Sequence, residues 1–155
     1  MHFRITGLEP GPFQHLFARS DDELSAARAK RYVADSKPGF PCRISLEDAE
    51  PGETVILAPY SHQIAPTAYQ SSGPIFVRAN AKRRFEAIDV VPEQLASRLL
   101  SLRAYDEAGM MIDADVVEGR EVEAHIGRML GNADAAYIHA HFARRGCYAA
   151  RIERA

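Results

Sequence analysis

Apolar and polar residues alternate from the start of the chain, Phe3 and Ile5 against Arg4 and Thr6, which predicts a short strand over His2 to Gly7 closed by Glu9-Pro10-Gly11. Pro12 suits the first turn of a short helix with Phe13, Leu16 and Phe17 on one side. Ser20 and Glu23 have capping-box spacing, so a helix is expected from Asp21 to Tyr32. Pro38-Gly39-Phe40-Pro41 cannot continue a helix and leads into Cys42 to Leu46, whose alternation predicts a strand. After the turn Glu50-Pro51-Gly52, Glu53 to Tyr60 reads as a buried strand closing at Pro59, with Ser61 and His62 just beyond it. Ala65 to Ser72 is expected as loop and Gly73 to Arg78 as another strand. A short helix opens at Pro92, and a longer one spans Arg120 to Leu130 with Val122, Ile126, Met129 and Leu130 on its apolar face.

Two hairpins follow from the C-terminal half. Leu99 to Asp106 and Met110 to Val117 flank Glu107-Ala108-Gly109, a three-residue loop with glycine at the left-handed position. That loop sets Arg103 opposite Asp113, Ser101 opposite Asp115, Leu102 opposite Ala114 and Leu100 opposite Val116, which sorts polar from apolar residues. Ala136 to Ala143 and Cys147 to Arg154 flank Arg144-Arg145-Gly146 in the same manner. His139 then opposes Arg151, His141 opposes Ala149, and Cys147 shares a face with both histidines. A two- or four-residue loop sends Cys147 to the opposite face.

Late hairpins without regular βαβ alternation predict an α+β fold, a mostly antiparallel sheet with flanking helices. The 155 residues, 46% hydrophobic and 26% charged, fit one domain over 1–155 and exclude a disordered chain. A net charge of -2 argues against nucleic acid as a partner, and no apolar run is long enough for a membrane helix. With no basic, apolar leader, a cytoplasmic location is expected. The basic set is sixteen Arg and three Lys, which suits oxyanion recognition but also follows from genomic composition alone. Cys42 and Cys147 are too few for a disulfide scaffold and read as free thiols.

Taken in order, Pro38-Gly39-Phe40-Pro41-Cys42-Arg43, Gly73 to Arg78, Ser101 to Asp106, His139-Ala140-His141 and Arg144 to Arg151 resemble a bacterial family of domains of unknown function, number 1203. The resemblance runs over nearly the whole chain. It implies a compact one-domain bacterial protein and brings no reaction, cofactor or catalytic residue with it.

The chemistry therefore rests on side chains. His139 and His141, two apart on a strand, put imidazoles on one face about 6.5 to 7 Å apart. With His62 as a third donor, and Cys147, Cys42, Asp113 or Asp115 as further ones, they are candidate metal ligands; a hydrogen-bonded aromatic sheet face is the competing reading. Cys147 with His139 or His141 is a candidate nucleophile and base, set against a structural thiol. Arg43 and Arg151, on strands without an evident acidic partner, are candidate anion contacts together with His139, His141 and Tyr148. Arg78 and Arg103 also lie on predicted strands, and Arg103 ranks below Arg43 and Arg151 because it has Asp113 as its expected cross-strand partner. The leading expectation is a small-molecule or anion-binding domain whose pocket lies where the final hairpin meets Cys42-Arg43. The alternatives are a metal- or thiol-dependent enzyme at the same cluster, and an interaction module, for instance a homodimer formed through the sheet face. No Gly-rich phosphate-binding motif is present, the sequence leaves any cofactor unknown, and His125 reads as a packing residue.

Overall fold

The computed structural model describes residues 1–155 and is an α+β fold built on two antiparallel sheets. In chain order the elements are β1 (Phe3–Thr6), α1 (Gly11–Gln14), α2 (Asp21–Ala26), β2 (Lys30–Val33), β3 (Thr54–Gln63), β4 (Ser71–Arg78), β5 (Glu86–Ile88), α3 (Glu93–Ala96), β6 (Leu99–Tyr105), β7 (Met111–Glu118), α4 (Val122–Leu130), β8 (Tyr137–Phe142) and β9 (Tyr148–Arg154). A six-stranded sheet runs β5-β1-β9-β8-β6-β7 and a three-stranded one runs β2-β3-β4. None of the helices is long and apolar enough to cross a membrane.

Each sheet closes its own apolar core. Leu100, Leu102, Ala104, Ile138, Ala140 and Ile152 point from the large sheet onto Val122, Ile126, Met129 and Leu130 of α4, the face that the helical periodicity predicts. Ile56, Ala58, Ile75 and Val77 of the small sheet pack with Phe13, Leu16 and Leu24 from the N-terminal helices. Ser20 caps α2 by accepting from the Glu23 N–H; the Glu23 carboxylate meets the Ser20 hydroxyl rather than the Ser20 backbone N–H, so only the N-cap half of the expected capping box forms.

Local pattern and tertiary pairing part company at several places. The helix begun at Asp21 ends at Ala26; Arg28 turns the chain at φ 57°, and Lys30–Val33 pairs with β3 instead. Cys42 to Leu46 is not a strand. Its segment makes only isolated bridges, Cys42 with Phe76 and Pro41 with Asp48. β3 does not close at Pro59, which lies beyond the last β2 pairing at Leu57, where its missing N–H costs no bond to β2. The strand runs on through His62 to Gln63.

Both hairpins depart from the expected register, in opposite senses. Glu107-Ala108-Gly109 is the three-residue loop expected: the Gly109 N–H donates to Asp106 O, the Asp106 N–H donates to Met110 O, and Gly109 sits at φ 82°. A bulge two residues into β7 then shifts the ladder, so that Ala104 opposes Asp113, Arg103 opposes Ala114, Leu102 opposes Asp115 and Ser101 opposes Val116. The expected Arg103–Asp113 pair does not form. The second turn is one residue longer than expected: the Gly146 N–H donates to Phe142 O and the Phe142 N–H to Cys147 O, making Ala143 to Gly146 a four-residue loop. A bulge at Ala149 restores the expected register beyond it, so His141 opposes Tyr148 while His139 opposes Arg151.

Candidate functional site

β8 is buried along its whole length, because α4 covers one face and the end of β3 lies on the other. Its covered second face carries Tyr137, His139 and His141. β3 brings His62 against them, with ring centroids 4.8 Å from His141 and 6.1 Å from His139, both edge-on. Tyr148, placed on this face by the bulge, stacks flat on His62 at 5.6 Å and meets His139 edge-on at 5.1 Å. Tyr105 and Tyr137 complete the wall around His139, at 5.1 and 5.0 Å. Gln63 fixes the end of β3 by donating to the Tyr137 hydroxyl at 2.9 Å.

One ring nitrogen from each of His62, His139 and His141 lies within 4.8 Å of the other two. The tautomer of His141 follows from its neighbour. Its Nδ1 is 2.9 Å from Gly146 O, and since a carbonyl only accepts, Nδ1 carries the proton and Nε2 keeps its lone pair. That Nε2 is buried and unbonded, as are Nδ1 of His62 and Nδ1 of His139. Burial, reinforced by the Arg151 guanidinium, pushes His139 down to about 3. Burial pushes His141 down to about 4, with Arg103 acting in the same direction and the Gly146 carbonyl opposing it. His62 is lowered as well, by burial and then by Arg103. All three rings are thus neutral imidazoles near pH 7, the form that donates to a metal.

Cys147 is not among them. The four-residue loop turns it to the side of Phe142, where its thiol donates to Arg145 O, so the expected thiol–imidazole pair with His139 or His141 is not formed. Asp113 and Asp115 are also elsewhere, held on the α4 side of the sheet by Arg128, with Asp115 also 3.3 Å from His125. Arg78 is engaged by Glu53 and Glu47. Arg103 stays near the imidazoles with Ser101 as its side-chain partner, and Arg151 lies 3.8 Å over the Tyr137 ring while bonding Glu153. Cys42 is fully buried, its sulfur receiving the backbone N–H groups of Ile44 and Arg78.

Arg43 and Cys147 meet instead in a separate cavity of about 620 Å³ where the final turn faces the Gly39–Arg43 segment. Arg43, Arg98, Arg144 and Arg145 line it, as do Tyr32, Phe40 and Phe76, an aromatic cluster in which Tyr32 and Phe40 each meet Phe76 edge-on. Arg43 is only 2% exposed, and burial lowers it to about 10. Its guanidinium lies 4.8 Å over the Phe142 ring and donates to the carbonyls of Tyr148 and Pro41, with no carboxylate in contact. Arg98, across the same ring, is neutralised by a two-oxygen contact with Asp48. A cavity thus lies at the junction of the hairpin and Cys42-Arg43, but of the expected contacts only Arg43 and Cys147 line it, and His139, His141, Arg151 and Tyr148 do not. Arg98 and the aromatic wall escaped sequence reasoning, since only the fold brings β2, β4 and α3 to one place. The alternation of Tyr60, Ser61, His62 and Gln63 was the available signal that β3 continues.

No curated protein and no solved structure matches the chain. A family model described as a protein of unknown function, DUF1203, matches residues 39–154, a span that holds every histidine and arginine of both sites and leaves the first strand and N-terminal helices outside. The chain belongs to the DUF1203 family.

Proposed function

We propose that this domain binds a small organic anion in the Arg43 cavity, its acidic group at the arginines and its apolar body against Tyr32, Phe40 and Phe76. The observation that carries the reading is the Arg43 guanidinium, buried with two backbone carbonyls and the Phe142 ring as its partners. A buried charge is costly unless an opposite charge meets it, and here the cavity is where one can enter. The volume of about 620 Å³ falls in the usual range for small-molecule sites. Arg144 and Arg145, exposed on the turn, add positive charge at the same end against the single carboxylate of Glu118. A second cleft of about 680 Å³ is a weaker claimant, because Glu47, Asp48, Glu50 and Glu93 line it and its Arg78 is already paired.

Calorimetric titration with phenylacetate, phenyl phosphate and acetate tests the reading. At least one phenyl anion is expected to bind saturably and more tightly than acetate, and Arg43→Met or Arg145→Gln to weaken it at least about tenfold. The bound anion is also expected to shield Cys147 from iodoacetamide, with Cys42 silent because it is fully buried. Absence of saturable binding by both phenyl anions, or binding unchanged in both variants, overturns it.

A further inference from the structure

We infer that His62, His139 and His141 form a site for one divalent transition-metal ion of the Zn²⁺ class, independent of the anion cavity. Three strand positions from two sheets deliver one imidazole nitrogen each to within 4.8 Å of the others, a separation that a small rotation of the rings closes to a shared coordination sphere. Each ring holds a buried nitrogen without a hydrogen-bond partner, and three such atoms in one cluster run against the rule that buried polar atoms are bonded. A single ion that accepts a lone pair from each ring accounts for the grouping.

The surroundings are those of a ligand set. His141 donates its other nitrogen to Gly146 O, the outer-sphere bond that fixes the tautomer and aims Nε2 inward. Tyr148 stacked on His62 and the tyrosines around His139 limit rotation of the rings. His62 is only partly buried and forms the entry side. Three imidazoles without a carboxylate select Zn²⁺, Co²⁺ or Ni²⁺ over Mg²⁺ and Ca²⁺, which require oxygen ligands. With Arg103 and Arg151 adding positive charge close by, the fourth ligand is an anion: hydroxide, or the carboxylate of a small molecule. A three-histidine centre with an exchangeable fourth position is of the catalytic rather than the closed structural kind.

Protein made without a histidine tag and stripped with EDTA is titrated with Zn²⁺ and Co²⁺, with Mg²⁺ as control. The expected result is one equivalent of Zn²⁺ bound, a raised melting temperature, the visible absorption of four-coordinate Co²⁺, and no response to Mg²⁺. His62→Gln, at the partly buried edge of the cluster, is expected to keep the fold by circular dichroism and lose at least about tenfold in Zn²⁺ affinity. His141→Gln is expected to do the same or worse, while His125→Gln, on the α4 side, binds like the wild type. Uptake well below one equivalent, or a folded His62→Gln that binds Zn²⁺ as the wild type does, overturns the assignment.

Discussion

The two C-terminal hairpins are nearly the same in sequence form, yet they reach their registers by opposite routes. In β6–β7 the turn is the expected three-residue loop and a bulge in the strand then displaces every later pair. In β8–β9 the turn is one residue longer and a bulge at Ala149 cancels the displacement. The side chains that matter lie between turn and bulge in the second case. Cys147 leaves the imidazole face and Tyr148 takes its place, so one inserted residue converts a thiol–histidine arrangement into a tyrosine-stacked histidine cluster. A turn and a bulge are therefore equivalent currency for parity, and a functional face can be set by either.

The turn glycines offer the strongest way to separate the hairpins. Gly109 and Gly146 both have positive φ, at 82° and 78°. A Cβ on Gly109 meets the Ala65 Cβ at 2.3 Å, whereas one on Gly146 meets nothing within 4 Å. Gly146→Ala carries only the left-handed backbone cost of about 1 to 2 kcal/mol. Gly109→Ala adds a clash with the loop that Thr67 anchors on Gly109 O, for a total of roughly 2 to 5 kcal/mol. Urea unfolding of both variants gives the difference; equal losses contradict the tight docking of the first turn.

The imidazole face makes the next prediction, for protein stripped of metal. With His139 and His141 pushed down to about 3 and about 4, the unfolded chain takes up protons below its ordinary pKa of about 6.5 while the folded chain does not. Stability is thus complete above pH about 6.5 and falls as the pH drops toward 4, by about 1.4 kcal/mol per pH unit for each imidazole at full slope. His139→Phe removes one proton from that slope. Urea midpoints at pH 7.5, 6 and 5 check it, and a variant as steep as the wild type refutes neutral burial of His139. Added Zn²⁺ shifts the same acid limb to lower pH if the three-imidazole site holds it.

What could be read from the residues divides along physical lines. The α+β class, the α4 face, the N-cap at Ser20 and the His139–Arg151 pair follow from short-range periodicity and turn chemistry, and the structure keeps them. Lys30–Val33 was hidden because the alanine-rich segment before it favours helix, and only pairing with β3 overrides that preference. The Ala149 bulge leaves no pattern: Ala149 and Ala150 are both small and both fully buried, so neither marks a face. His62 is a candidate ligand with no partner in view along the sequence, since its contact with β8 joins two sheets across a long stretch of chain. The Arg43 cavity is legible in the sequence at Arg43 and Cys147 and illegible at its aromatic wall, for the same reason.

The smallest expected effect discriminates the β6–β7 register most directly. Sorting by polarity predicts Asp113 beside Arg103; the structure instead turns Asp113 and Asp115 toward α4, where Arg128 meets both, and leaves Ile112 and Val116 exposed on the other face. The acids face the helix because Arg128 and His125 are there to receive them, which is why polar residues occupy the face that also carries Leu102. Arg128 and Asp113 are both well solvated, at 50% and 35% side-chain exposure, so their pairing contributes little, at most about 1 kcal/mol. A double-mutant cycle on Arg128→Ala and Asp113→Ala is expected to show a coupling of about 0.2 to 1 kcal/mol that shrinks in salt, while the cycle on Arg103→Ala and Asp113→Ala shows none. The reverse pattern requires a β6–β7 ladder without its bulge, which would bring Asp113 beside Arg103 on the imidazole face, with β6 still between it and β8.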